Sequence, residues 1–273
     1  EYNMLLDLLD QKNGETSLSD RKEFARKAFA TSSYYDTAIF NYFSSEKDDH
    51  FRVSLNHSNV LRYGENPHQR GIFYGKIEDI FDQLHGKEIS YNNLLDIDAA
   101  VNLIDEFSEP TFAILKHNNA CGCASRENLL QAWKDALAGD PVSAFGGIII
   151  TNRTIDVETA NEINKLFFEV IIAPSYGDGV VDIFQSKKNR IILVRKNAKT
   201  ANYQFRSVLN GVLYQDRDLK QEKADELKPV TNLEPTDKQI EDLLFANKLV
   251  KQSKSNTIVL AKNKQLIASG VGE

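Results

Sequence analysis

A chain of 273 residues, 41% hydrophobic and 26% charged, has the make-up of an ordinary globular protein with room for one large or two medium domains. A net charge of −6 argues against a general binder of nucleic acid or anionic membrane, so an anionic ligand would be met by a few local cations. The two cysteines, Cys121 and Cys123, are too close in sequence for an unstrained disulfide and indicate a reducing setting or indifference to redox, while no apolar stretch approaches the roughly 20 residues of a membrane span and no secretory signal is legible.

Residues 1–45 read as helical. Ser17-Leu18-Ser19-Asp20 fits a helix N-cap with an acidic residue three positions on, and Phe24, Ala25, Ala28, Phe29, Ala38, Ile39, Tyr42 and Phe43 follow helical spacing, imperfectly through Ser32-Ser33. The polar run from Ser44 to Asp49 marks a linker, taken as 46–52, with a second domain over 53–273. From there strands alternate with helices. Ile72–Tyr74, Thr111–Leu115, Gly147–Ile150, Val170–Ala173, Arg190–Val194, Gly211–Tyr214 and Thr257–Ala261 read as strands; Arg126–Ala138, Asp156–Phe167 and Asp237–Lys251 read as amphipathic helices, the last capped by Thr236. Asn263-Lys264 reads as a hairpin turn into Gln265–Ala268. The alternation predicts a layered α/β fold with a mixed or largely parallel sheet. The start at Glu1 without a Met, and the end at Glu273 just past a strand-like run, suggest a piece of a longer protein.

The segment Ile114 to Gly122 carries the most chemistry. A buried strand ends in Lys116-His117, expected where the backbone leaves the sheet, the edge at which open α/β sheets bind ligands. The charge of Lys116 disfavours a second proton on His117, leaving a neutral imidazole able to accept one. A solvated turn describes the same residues equally well. In Leu61–Gln69, Arg62 offers a planar fork of donors suited to phosphate or carboxylate, although a loop that satisfies its own polar groups would read alike. Leu84–Asp96 is dense in hydrogen-bonding groups and reads as a structured turn before a helix. In Asp140–Gly147, Phe145 offers a face for a flat heterocycle and Gly146-Gly147 allow close approach of a backbone, or the three form a core aromatic with turn glycines. Asn256, just before a strand, offers an amide edge to a ligand or simply closes a turn. A deaminase-type zinc site would need His-x-Glu and Pro-Cys-x-x-Cys, and neither occurs. Phosphate-loop, dinucleotide and nucleophile-elbow patterns are absent too.

Together these stretches resemble one family, the bifunctional AICAR formyltransferase/IMP cyclohydrolases of purine biosynthesis. The matching segments run in family order: RYGENPHQ at 62–69, HGKEISYNNLLDIDAA at 85–100, KHNNACG at 116–122, DPVSAFGG at 140–147, IIAPSY at 171–176, VLYQDRD at 212–218 and KSNTIVLAKN at 254–263. The stretch at 22–43 resembles the closing helix of the cyclohydrolase domain. The resemblance implies that residues 1–45 are the end of that domain, whose own active site is absent, and that 53–273 are the first part of a formyltransferase domain with a cytidine deaminase-like α/β fold without zinc. It implies transfer of a formyl group from the co-substrate 10-formyltetrahydrofolate to the 5-amino group of AICAR, giving FAICAR, in a cytoplasmic homodimer with no nucleic-acid or membrane partner. By motif match His117 is the general base, and Lys116 stabilises the developing oxyanion or assists protonation of the folate leaving nitrogen. Arg62, Tyr63, Phe145, Gly146, Glu169 and Asn256 bind substrate. Ala120 stands where the family usually has Pro, which loosens the loop but removes no catalytic group. The family's folate-contacting Arg lies beyond Glu273, so the piece is expected to need the rest of the protein for activity. A zinc deaminase-like enzyme and a non-catalytic nucleotide-binding module are the competing readings.

Overall fold

The computed structural model describes residues 2–45, 49–198 and 201–272. They fall into two compact units, Glu1–Asn59 and Val60–Glu273. The expected linker at 46–52 falls in the first unit's span, and its residues 46–48 lie outside the described residues.

The first unit is helical, as its spacing predicts: α1 (Tyr2–Gln11) and a 26-residue α2 (Leu18–Phe43) that runs unbroken through Ser32-Ser33. There Thr31, Ser32 and Ser33 turn their hydroxyls back onto backbone carbonyls three or four residues earlier, so these polar residues stay within the helix. Ser17 caps α2 in a capping box with Asp20.

After β1 (Ser58–Leu61), which straddles the boundary, the second unit follows the order β2 (Gly71–Tyr74), β3 (Phe81–His85), α3 (Tyr91–Ile104), β4 (Thr111–Lys116), β5 (Asn119–Ser125), α4 (Leu129–Gly139), β6 (Ile148–Thr151), α5 (Val157–Ile163), β7 (Val170–Ala173), α6 (Val180–Gln185), β8 (Ile191–Arg195), β9 (Tyr203–Val208), β10 (Gly211–Asp216), α7 (Asp237–Lys251), β11 (Thr257–Ala261) and β12 (Leu266–Val271). Six strands form one mixed sheet in the order β3-β8-β7-β6-β4-β5. β6, β7 and β8 run parallel; β4 is antiparallel to both β6 and β5, and β3 antiparallel to β8. The pairs β1–β2, β9–β10 and β11–β12 are separate ribbons.

The central strands are apolar except at their ends because both sheet faces are covered. Alternate side chains serve the two faces. Ala113, Leu115, Ile148, Ile150, Val170 and Ile172 pack on the side of α3 and α7, with Ile97, Ile104, Phe245 and Leu249. Phe112, Ile114, Ile149, Ile171 and Ile192 pack on the side of α4, α5 and α6, with Trp133, Ile163 and Phe184. The result is a three-layer α/β unit. The expected strands and helices all occur; α4 begins only at Leu129 because Asn128 caps it, and α5, capped by Asp156, ends at Ile163 rather than Phe167. The sequence reading missed β1, β3, β5, β9 and the six-residue α6. β5, Asn-Ala-Cys-Gly-Cys-Ala-Ser, is made of small residues that show no strand periodicity.

Candidate functional site

β4 does not lead out of the sheet at Lys116, as its sequence suggests. It turns straight back into β5, with Lys116 opposite Asn119 and only His117 and Asn118 between them. Both have positive φ, 53° and 65°, the signature of a type I′ hairpin. His and Asn are among the non-glycine types that enter this region most readily. The hairpin exposes His117 and half-buries Lys116.

The position of this turn follows from strand direction. Because β4 is antiparallel to β6, its carboxyl end lies beside the amino ends of β6 and β7. The turn before β6 thus meets Lys116, whose Nζ donates to the Phe145 carbonyl oxygen at 2.9 Å. Gly146 has φ +75°, which a side-chain-bearing residue would adopt only under strain, and its N–H donates to the Phe167 carbonyl. Glu169 sits one residue before β7. Its N–H donates to Gly147 and its carbonyl accepts from Ile191, so its backbone is fixed between β6 and β8.

The opposite wall comes from the segment that the sequence reading assigned mainly to structure. Ser90 caps α3 in a capping box with Asn93, and the first turns of that helix face the cleft. Lys87 Nζ lies 3.1 Å and Asn93 Nδ2 3.3 Å from Glu169 Oε2. Asp96 Oδ1 accepts a hydrogen bond from the Asn118 N–H at 2.7 Å. Burial holds the Asp96 carboxyl above the ordinary carboxylate range, against the opposing pull of the Asn118 bond and of His117, while Glu169 adds to the rise. The signal for these residues was present in the sequence: Asn93 and Asp96 are three apart just after a cap, hence on one face of the first turns. The loop 62–69 completes the rim. It is closed by bonds of its own, Gly64 N–H to Gln69 O and Asn66 N–H to Gln69 Oε1, and is tied to α3 by Asn92 Nδ2 on the Glu65 carbonyl. Arg62 stacks on Tyr63, its Cζ 4.7 Å from the ring centre, and Nη2 donates to the Tyr63 hydroxyl at 3.0 Å.

These walls enclose a cleft of about 850 Å³ that brings together six of the expected residues, Arg62, Tyr63, Lys116, His117, Gly146 and Glu169. A second cavity of about 370 Å³, walled by Cys121, Asp140, Ser143 and the β12 residues Leu266 to Ser269, borders the same turn, and Lys116 and His117 line both. Each volume is in the range of small-molecule sites. Two expected residues stand apart from the cleft lining. The Phe145 ring packs on Phe167 at 5.1 Å, largely exposed, and it is the Phe145 carbonyl that meets Lys116. Asn256 is exposed ahead of β11, its carbonyl accepting from the Gly272 N–H. Among the described residues no three His, Cys, Asp or Glu side chains are grouped so as to hold a metal ion. Nor is any helix among them long and apolar enough to cross a membrane.

Comparison of its sequence with known proteins matches the chain to a family. The chain is 62% identical over 273 residues to the bifunctional purine biosynthesis protein PurH of Bacteroides thetaiotaomicron, covering all of this chain and 54% of that protein. It is 44% identical over 279 residues to PurH of Caldicellulosiruptor bescii, covering 96% of this chain and 54% of the relative. The chain thus spans about half the length of the curated relatives it matches. A family model described as AICARFT/IMPCHase bienzyme matches residues 1–273. On that match, across both units, the chain belongs to the AICARFT/IMPCHase bienzyme family.

Proposed function

We propose that the second unit carries the nucleotide side and the catalytic pair of an AICAR formyltransferase, working in a full-length protein that also cyclises FAICAR to IMP. The observation that carries this reading is the Lys116-His117 turn bordering two cavities at once. Group transfer between two substrates needs both reacting centres within reach of one base and one cation.

In this reading AICAR occupies the polar cleft. Its phosphate meets the Arg62 fork, backed by Tyr63, and the carboxylate of Glu169, steadied by Lys87 and Asn93, accepts from hydroxyls of the ribose. Gly146 offers its backbone to the nucleotide. The formyl carbon of 10-formyltetrahydrofolate approaches from the second cavity. The 5-amino group is conjugated to an electron-poor imidazole carboxamide and is a weak nucleophile. As its nitrogen bonds to the formyl carbon, His117 takes a proton from it. Lys116 stabilises the charge that develops on the formyl oxygen. The bond from the formyl carbon to the folate nitrogen then breaks, and that nitrogen takes up a proton. Asn256 belongs to the ribbon whose β12 strand walls the second cavity, and in this reading the ribbon brings it toward the reacting groups. The 10-formyltetrahydrofolate co-substrate, a cytoplasmic setting and a homodimer belong to the same proposal, resting on the family resemblance.

Formyl transfer by the full-length protein, followed by tetrahydrofolate release, tests it. His117→Ala is expected to lower kcat by about 100-fold or more, the usual worth of a general base, with nucleotide binding retained. Turnover near that of the unaltered protein would remove His117 from the mechanism.

A further inference from the structure

The middle of a two-residue hairpin is poorly held by the sheet. Ladder bonds fix Lys116 and Asn119, but the N–H of the second turn residue points away from the ladder. Here that N–H belongs to Asn118, and it has a partner from another element, Asp96 Oδ1 at 2.7 Å. The turn is tied at a second point by Asn119 Nδ2, which donates to the His117 carbonyl at 2.9 Å. Two consecutive non-glycine residues in the left-handed region are each strained. Such a turn keeps its form only where its surroundings hold it.

Asp96 is well placed to do so. It lies in the second turn of α3, whose start is fixed by the Ser90–Asn93 capping box and whose next residue, Ile97, is buried in the core with Ala100 and Ile104. The carboxylate therefore stands on a rigid support, and the His117 backbone is suspended between that support and Asn119. We propose that Asp96 is a positioning residue: by holding the Asn118 N–H it keeps the His117 imidazole at the junction of the two cavities. This deepens, and rests on, the reading of His117 as the base. Asp96 acts through hydrogen-bond acceptance, so an amide oxygen in the same place retains most of the effect.

The experiment compares Asp96→Ala, Asp96→Asn and His117→Ala with the unaltered full-length protein. Asp96→Ala is expected to lower kcat by about 30- to 100-fold with KM for AICAR within about threefold, as displacement of a catalytic group does. Asp96→Asn is expected to stay within about fivefold of the unaltered kcat. A second readout needs no activity: hydrogen exchange of peptides covering 112–122 should quicken in Asp96→Ala and not in Asp96→Asn. Full kcat in Asp96→Ala, equal loss in both Asp96 variants, or unchanged exchange in Asp96→Ala would each overturn the proposal. Should His117→Ala keep its turnover, the catalytic reading fails, and the exchange data still decide whether Asp96 holds the turn.

Discussion

Gly122 and Gly146 stand in neighbouring motif segments for different physical reasons. A Cβ at Gly122 would lie 2.2 Å from the Ala136 carbonyl, so this glycine lets β5 lie directly on α4 and has no need of a ligand to explain it. Gly146 is required by its φ of +75° at the cleft floor. The cysteines flanking Gly122 are governed by burial. Cys123 is fully enclosed in the core, which pushes its thiol far above the usual range. Cys121 borders the second cavity, yet burial first and the nearby Asp140 second push its thiol up to about 11. The thiolate is the reactive form. Alkylation of the native protein by iodoacetamide at pH 8 is therefore expected to leave both residues unmodified, with the rate at Cys121 climbing as pH approaches 11. Rapid labelling of Cys121 at pH 8, read by peptide mass spectrometry, would contradict this.

At the scale of elements, capping decides where helices begin. Ser17, Ser90 and Thr236 each close a capping box, with Asp20, Asn93 and Gln239 as partners. In α2 the box is charged. Asp20 accepts from Lys12 Nζ at 2.6 Å and from the Ser17 hydroxyl and N–H, and these bonds, Lys12 first, lower its pKa from 3.8 to about 2. Because the folded value lies below the unfolded one, the stabilisation is complete above the ordinary carboxylate range and is lost as pH falls through the folded value. Its partners Lys12 and Ser17 lie at the surface, so the consequence is local fraying. Hydrogen exchange over residues 18–24, corrected for intrinsic rates, is expected to lose protection between pH 4 and pH 2, and Asp20→Ala to be frayed at both. An unaltered pH response in Asp20→Ala would show that another group is responsible. The β4–β5 hairpin is the counterpart among strands: with only two residues between its arms, it can place Lys116 and His117 at one spot and nowhere else.

For the whole molecule, strand direction is the deciding variable. β6, β7 and β8 lie at the middle of the sheet with both faces buried, whereas β9–β10 is a separate ribbon exposed along most of its length. Local stability should follow. Hydrogen exchange is expected to be slowest in β6–β8 and fastest, among the strands, in β9–β10; the reverse order would mean that the ribbon is protected by something other than this unit. Periodicity and capping residues made most helices and the apolar strands legible. β5 was not legible, because its small residues owe their strand to pairing with β4 and to contact with α4, neither of which its own composition records. Arg62, Lys116, His117 and Glu169 were legible as motif residues, while Lys87, Asn93 and Asp96 were legible only as a cluster of hydrogen-bonding groups, since such groups near a helix start serve caps and ligands alike. What the sequence by itself determined is which chemistry is available: a base beside a cation, an arginine fork, a carboxylate and glycines for close approach. What only the tertiary structure decided is that these groups meet. An antiparallel β4 inserted beside parallel strands brings its carboxyl end to the amino ends of β6 and β7, and α3 then closes over them; residue order carries no direct record of such strand direction, which is set by how both faces of the sheet are buried.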